Sequence, residues 1–155
     1  MENQMNEPSD FQELVDQQFQ YGHSNQNTQA LLTADLRYLL AMQRYDQKQL
    51  PAAIALFQQC QSTYQQLKEP RSQADASYNL GMCHEALQQY KEAIGCYQMA
   101  LALYQEIADS YWQTRALLAL GKMYDHLGQT SQADQYYPKA LSPIFQLFPK
   151  NQAMF

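Results

Sequence analysis

A constant spacing of forty positions recurs along this chain and constrains its fold more than any other feature. Leucine, small and aromatic residues take the same places in two successive stretches: Leu80, Gly81, Ala93, Tyr97, Ala100 and Tyr104 recur as Leu120, Gly121, Ala133, Tyr137, Ala140 and Ile144. The same step backwards finds a more divergent copy: Leu40, Ala41, Ala53, Phe57, Cys60 and Tyr64. Repeats of this length are typical of stacked units that share one continuous core. The spacing therefore predicts an array of three units.

Each unit is predicted to be a pair of helices. The 155 residues include only five glycines and six prolines, and no stretch alternates apolar and polar residues as a strand does. Alanine and glycine at the repeated positions let neighbouring helices approach closely. Pro70 suits a first helical turn, and Asp109 or Ser110 suits a helix cap. The predicted pairs are 28–47 with 50–67, 70–87 with 90–108, and 110–127 with 130–142.

The pattern of Leu120-Gly121, Tyr124, Ala133, Tyr137 and Ala140 resembles the tetratricopeptide repeat, in a long-helix variant with a period of forty positions. The resemblance implies an all-α, right-handed α-solenoid that binds a protein or peptide partner in a concave groove. The first helix of each pair lines that groove in the family. Carried over by register, the partner-binding residues are Asp35, Tyr38, Met42, Tyr45, Asp75, Tyr78, Asn79, Met82, Glu85, Arg115, Leu118, Lys122 and Asp125, with Leu39 and Ala119 beside them.

The segment before the repeats has its own pattern. Residues 1–27 are predicted to form a polar segment with a short amphipathic helix at about 10–21, which Gly22 ends, followed by a linker. The apolar face of this helix either covers the first repeat, docks in another protein or occupies the chain's own groove. The repeat domain is assigned to residues 28–148.

The last helix and the tail differ from the other copies. Pro138 and Pro143 fall inside the last helix, so we expect a kink near Pro138 and an end near Ser142. The apolar tail, 143–155, either folds back as a cap or serves self-association or a larger assembly. The two ends together give a candidate assembly surface: Phe11, Leu14, Val15, Phe19, Ile144, Phe145, Leu147 and Phe148.

Several function classes are disfavoured. The net charge is −5 without a Lys/Arg cluster, which argues against nucleic acid. No apolar run reaches the ~18–20 residues that span a bilayer, and the first residues lack an export pattern, so we expect a cytoplasmic protein. The three cysteines form no CxxC pair, the histidines lack metal-binding spacing, and no phosphate loop or catalytic triad is evident. We therefore expect no enzyme activity, cofactor or metal.

Two functions remain at this stage. The first is an adaptor or scaffold that binds a peptide or helix of a partner in the groove. The alternative is an assembly factor, a subunit of a larger complex or a self-associating protein that uses the two ends.

Overall fold

The structure, a computed structural model, describes the backbone of residues 9–147 and the side chains from residue 25 to residue 142. Six helices follow one another: α1 (Ser9–Asp46), α2 (Leu50–Gln66), α3 (Pro70–Ala86), α4 (Tyr90–Glu106), α5 (Ser110–His126) and α6 (Thr130–Leu147). Each helix packs against the next one along the chain. The all-α solenoid of three helix pairs is thus confirmed. The helices from α2 to α5 match the predicted bounds to within two residues at each end.

The turns between helices recur at a constant spacing. One residue in each turn has a left-handed backbone: Lys48, Lys68, Gln88, Ala108 and Gly128. At each turn the next residue donates its N–H to a carbonyl five residues back, as Gln89 does to His84 at 2.8 Å. This Schellman arrangement ends one helix, and the same residue's carbonyl starts the next, as Gln89 accepts from Ala93 at 3.0 Å. Five tight turns of one geometry keep the helices in regular order.

Helix starts differ in how they are capped. Pro70 occupies the first turn of α3, as predicted, where its missing N–H has no helical partner to lose. Asp109 rather than Ser110 caps α5, because its side chain accepts from the backbone N–H of Trp112 at 3.1 Å. Gln49 and Gln89 stand at the corresponding place before α2 and α4 without a side-chain cap bond. The start of α5 is therefore stabilised by a side-chain cap that the starts of α2 and α4 lack.

The core runs between the helices as a seam of alanines and rings. Ala93, Ala100, Ala133 and Ala140 are fully buried, and the ring of Tyr97 is 1% exposed. Gly81 lies so close to this ring that an added Cβ would be 2.6 Å from its Cε1 atom. Gly121 has the same relation to Tyr137. The Leu-Gly pairs of the repeat thus mark places where only a hydrogen atom fits.

The prediction for the N-terminal segment was wrong about its helix bounds. A single helix of 38 residues, α1, covers the predicted short helix, the predicted linker that follows it up to residue 27 and the first helix of the first pair. Gly22 has no positive φ, and no proline interrupts the helix. One glycine inside a helix costs only about 1 kcal/mol, which the surrounding turns can tolerate. The amphipathic character of residues 10–21 concerns side chains that lie outside the described range.

The last helix is also longer than predicted. α6 continues through Pro138 and Pro143 to Leu147 instead of ending near Ser142. Pro138 removes one helical hydrogen bond, but it is exposed, and so is Asp134, whose carbonyl loses that bond. Water can satisfy this carbonyl because no further helix covers that side of α6 in the described structure. The kink near Pro138 stays a prediction.

Among residues 9–147, no helix combines the length and the apolar content that crossing a bilayer requires.

Candidate partner-binding groove

The first helices of the pairs, α1, α3 and α5, line a groove with two cavities. The first cavity has a volume of about 260 Å³ and lies between α1 and α3, with a contribution from α2. Its lining combines rings, two carboxylates and a leucine: Asp35, Tyr38, Leu39, Tyr64, Ser72 and Asp75. Predicted groove residues of the first and second repeats therefore do come together.

The second cavity is larger and joins the second repeat to the third. Its volume is about 420 Å³ and it lies between α3 and α5. Apolar side chains form most of the lining, with an acidic and two basic residues among them: Tyr78, Met82, Glu85, Tyr97, Arg115, Leu118, Ala119 and Lys122. Seven of these eight are residues that the register predicted. Tyr97 comes from the second helix of its pair.

A tyrosine at the end of each of the first two pairs is bonded to a groove carboxylate. Tyr64 donates to Asp35 Oδ1 at 2.8 Å, and its counterpart in the next repeat, Tyr104, donates to Asp75 Oδ1 at 2.7 Å. Burial, together with the bonded carboxylate, raises the pKa of both phenols well above the ordinary value. Asp35 and Asp75 therefore hold the helix pairs together as well as lining the groove.

A second set of bonds links the middle of the second helix to the end of the first. Tyr97 donates to Glu85 Oε2 at 2.8 Å, and Tyr137 donates to Asp125 in the next repeat. The bond to Asp125 raises the pKa of Tyr137 to about 12. Glu85 also pairs with Lys122 across the cavity. These predicted groove residues are thus engaged with the fold.

The remaining predicted residues of the first two repeats are largely packing residues. Asn79 donates to Tyr38 Oη at 2.6 Å and to the carbonyl of Asp75 at 2.9 Å. Burial raises the pKa of Tyr38 to about 12. Met42 and Tyr45 pack against the core cluster around Phe57. These side chains shape the groove walls more than they present free contacts.

Arg115 breaks the pattern of the first two repeats. It stands where they have Asp35 and Asp75, and its guanidinium carbon lies 5.1 Å from the centroid of the Trp112 ring. It also donates to Tyr111 Oη at 3.2 Å. Within the described residues, Arg115 takes part in none of the ion pairs. Leu118, one turn further along α5, is 43% exposed. The third repeat therefore offers a cation and an apolar side chain that the fold leaves accessible.

The register of the first helices did not predict three residues that line the cavities: Tyr64, Ser72 and Tyr97. The two tyrosines reach the cavities from α2 and α4. A signal for Tyr64 was available, because Tyr64 and Asp35 both recur one repeat later as a tyrosine and an aspartate. Ser72 has no such signal.

The candidate assembly surface remains a prediction. Phe11, Leu14, Val15 and Phe19 lie in α1, and Ile144, Phe145 and Leu147 in α6, but the side-chain description does not extend to them. Phe148, like the rest of the tail at 148–155, lies outside the described residues.

Histidine, cysteine and acidic side chains are the groups that a metal or thiol site would use. Among the described residues, no group of three or more of them is arranged to hold a metal ion. Cys60 and Cys83 are buried free thiols, and burial raises the pKa of each to about 11. They act as small packing groups in the core.

Comparison with known families gives one match. The family model of the tetratricopeptide repeat matches residues 32–106 and, in an overlapping second copy, 72–142. Together the two segments cover well over half of the chain. No match was found among curated proteins.

Several solved structures have a fold similar to that of this chain. The TPR domain of Arabidopsis FLU is 22% identical with a TM-score of 0.68, over 77% of this chain and 98% of that one. Aspartyl phosphate phosphatase F from Bacillus subtilis is 24% identical with a TM-score of 0.72, over 76% of this chain but only 31% of its own. BtubC from P. vanneervenii is 20% identical with a TM-score of 0.69, over 74% of this chain and 47% of its own. At these identities the likeness concerns the fold.

Proposed function

Because this chain belongs to the tetratricopeptide repeat family, whose members generally serve as protein-interaction modules, we propose that it is a non-enzymatic adaptor that binds a peptide or helix of a partner in its groove. Family membership supports a role as a protein-interaction module in general. The groove as the binding site, and the residues that line it, belong to the proposal.

The cavity between α3 and α5 is the observation that carries the proposal. It combines an apolar wall, to which Leu118 and Met82 contribute, with the guanidinium of Arg115. Its position across two repeats means that a bound segment would contact both. An apolar side chain next to a carboxylate is the ligand chemistry that fits this combination.

The groove walls are held in place before a partner arrives. Tyr97 and Tyr104 donate from α4 to Glu85 and Asp75 on α3, and both rings are at most 1% exposed. Binding to a preformed site costs less conformational entropy than binding to one that must be ordered. This supports a groove that recognises a segment rather than one that closes around it.

A selection experiment tests the proposal. A library of short peptides is selected on the full chain, and the affinity of the peptides obtained is measured by calorimetry. Leu118→Asp and Arg115→Ala should each weaken binding by about tenfold or more, since each removes a contact of ~1.4 kcal/mol or greater.

Matched controls separate loss of the groove from loss of the fold. Leu141→Asp changes a leucine with the same 43% exposure on α6, and Arg37→Ala removes an exposed arginine from α1. Both should leave the affinity unchanged. If the selected peptides bind the two groove variants as tightly as the wild type, the binding surface lies elsewhere. If no peptide is selected at all, the groove proposal fails for short segments.

A further inference from the structure

The cavity between α3 and α5 runs lengthwise along both helices, and we call it the trough. The two helices point in the same direction, because α4 runs back between them and packs on both. On α3 the lining extends from Tyr78 to Glu85, and on α5 it extends from Arg115 to Lys122. Each wall therefore covers seven residues, which is about 10.5 Å or two helical turns.

The walls of the trough match the face of a further helix. Lining residues on each wall lie three or four positions apart, and so share one helix face: Tyr78, Met82 and Glu85 on α3, and Arg115, Leu118, Ala119 and Lys122 on α5. Met82, Leu118 and Ala119 make the wall between the two ends apolar. A small residue such as Ala119 lets another helix approach to a normal packing distance. A third helix laid along the trough could thus bury an apolar stripe of two turns.

An extended segment would find few hydrogen-bond partners in the same place. Each of its residues carries an N–H and a carbonyl that need partners when they are buried. The backbone groups of α3 and α5 are used within those helices. Glu85 accepts from both Tyr97 and Lys122, so these three side chains are engaged with one another. Asn79 donates to two other groups of the fold, and its counterpart on α5 is Ala119. A helix bonds its own backbone and needs no such partners.

The two ends of the trough differ in charge. At one end Lys122 and Glu85 form an ion pair across it. Arg115, at the other end, takes part in none of the ion pairs among the described residues. Its guanidinium lies over the Trp112 ring and donates to Tyr111 Oη, which leaves most of its five N–H donors for a ligand. A carboxylate on a partner is therefore expected at the Arg115 end.

We propose that the trough binds an amphipathic helix of a partner protein, with an acidic residue at Arg115 and apolar residues against Leu118 and Met82. The spacing along α5 places the apolar residues of the partner three and four positions from its acidic residue. This binding mode rests on the proposed function, which puts partner binding in the same cavity, and it takes a helix rather than an extended peptide as the ligand.

A selection from helical peptides tests the pattern. The probes are alanine-rich peptides of about 18 residues, long enough to form a helix in water. Glu–Lys pairs on one face stabilise the helix, and four positions on the opposite face are randomised at the spacing i, i+3, i+4 and i+7. Peptides selected on the full chain should carry Asp or Glu at one end of the randomised face and apolar residues in its middle. A selected set with no acidic preference would overturn the role given to Arg115.

Substitutions on the outer face of a selected peptide test whether it binds as a helix. By calorimetry, proline in place of a central outer alanine should weaken binding by about a hundredfold, and glycine by about fivefold, because a bound helix must accommodate either residue. Glutamine at the same position is the matched control and should change little, since it is a good helix former. Equal affinities for all three would show extended binding and overturn the proposal. If that binding still fell in Leu118→Asp, the proposed function would stand without the helix.

A double-mutant cycle tests which end of the trough holds the acid. Replacing the acidic residue of the peptide by its amide should weaken binding to the wild type by about tenfold, but should weaken binding to Arg115→Ala by little more. Lys122→Ala is the matched control because Lys122 is already paired with Glu85, and there the loss should stay about tenfold. Coupling of the acid to Lys122 instead of Arg115 would refute the orientation.

Light scattering coupled to size exclusion tests for a second copy in the trough. Wild type and Leu118→Asp should give the same mass, and circular dichroism reports whether the variant keeps its helices. A wild-type dimer that Leu118→Asp converts to the monomer mass of 18.0 kDa would make a second copy the occupant and overturn the proposal. If no peptide, helical or extended, binds in a way that depends on Leu118, this proposal and the proposed function both fail.

Discussion

Replacing Gly81 with alanine should destabilise the protein, although the same change elsewhere in a helix should stabilise it. A Cβ at residue 81 would lie 2.6, 2.7 and 2.9 Å from three atoms of the Tyr97 ring. Carbon atoms in contact are normally about 3.5–4.0 Å apart. The ring would therefore have to move by about 0.6–1 Å to restore such contacts. It is 1% exposed and is held by its bond to Glu85 and by the Tyr78 ring, whose centroid is 5.2 Å away.

The magnitude follows from two opposing effects. Overpacking a close-packed core costs about 1–3 kcal/mol. Alanine in place of glycine inside a helix regains about 1 kcal/mol. Because the ring has little room to give way, we expect Gly81→Ala to incur the upper part of the overpacking cost, about 2–3 kcal/mol, and hence a net loss of about 1–2 kcal/mol. Gly95→Ala is the matched control: Gly95 lies exposed in α4, and nothing lies within 4 Å of an added Cβ. This variant should gain about 1 kcal/mol.

The assay compares thermal and urea unfolding of the two variants, followed by circular dichroism and by the fluorescence of the single tryptophan, Trp112. The difference of about 2–3 kcal/mol should place the Tm of Gly81→Ala roughly 4–12 °C below that of Gly95→Ala. Equal stabilisation by both changes would refute the close contact at Gly81. Tyr97→Phe should partly rescue Gly81→Ala, because it frees the ring from its bond to Glu85. That pair reproduces Ala41 and Phe57 of the first repeat, which are both fully buried.

Three further predictions concern the turns, the caps and the buried phenols. Ala108→Gly should stabilise the protein by about 0.5–1 kcal/mol in urea unfolding, because Ala108 has a φ of 55° that glycine adopts without strain. Asp109→Ala should cost about 1–2 kcal/mol in the same assay, since it removes a helix cap and an ion pair, whereas Gln89→Ala at the equivalent uncapped start should change little. Stability should be fully present below pH 10 and fall above it. Folding raises the pKa of Tyr64 and of Tyr104, so the unfolded chain loses these two protons at a lower pH than the folded chain does. Between the unfolded and the folded pKa, each of the two phenols therefore lowers the free energy of unfolding by about 1.4 kcal/mol per pH unit. The free energy of unfolding of the double variant Tyr64→Phe, Tyr104→Phe should therefore fall less steeply above pH 10 than that of the wild type, and equal slopes would contradict this.

The helix pairs were predictable because their packing depends on residues that recur. Ala93 and Ala133, or Gly81 and Gly121, are small for the same steric reason in each copy, and that reason is visible in the sequence. The turns lie where the predicted helix bounds place them, but their shared backbone geometry was not predictable. Lys68, Gln88 and Gly128 share one backbone geometry but no chemical type, because the Schellman bonds are made by the backbone alone.

The helix ends of the array were mispredicted for a related reason. Gly22 and Pro138 are ordinary signals for a helix end, and each costs a helix some stability, but neither alone ends one. Whether a helix continues past such a residue depends on the turns on either side and on access to water. Those conditions exist only in the folded chain.

The candidate groove shows a division between repeated and unrepeated residues. Asp75 and Glu85 resembled free groove acids in the sequence, yet both accept a bond from a buried tyrosine, and their tyrosine partners recur with them. Arg115 departs from the pattern of its two counterparts and makes no ion pair with a carboxylate among the described side chains. A residue that must hold its repeat together is constrained to recur. A residue that contacts a partner has no such constraint, so we expect the specificity of the groove to reside in Arg115 and Leu118 of the third repeat rather than in the acids of the first two.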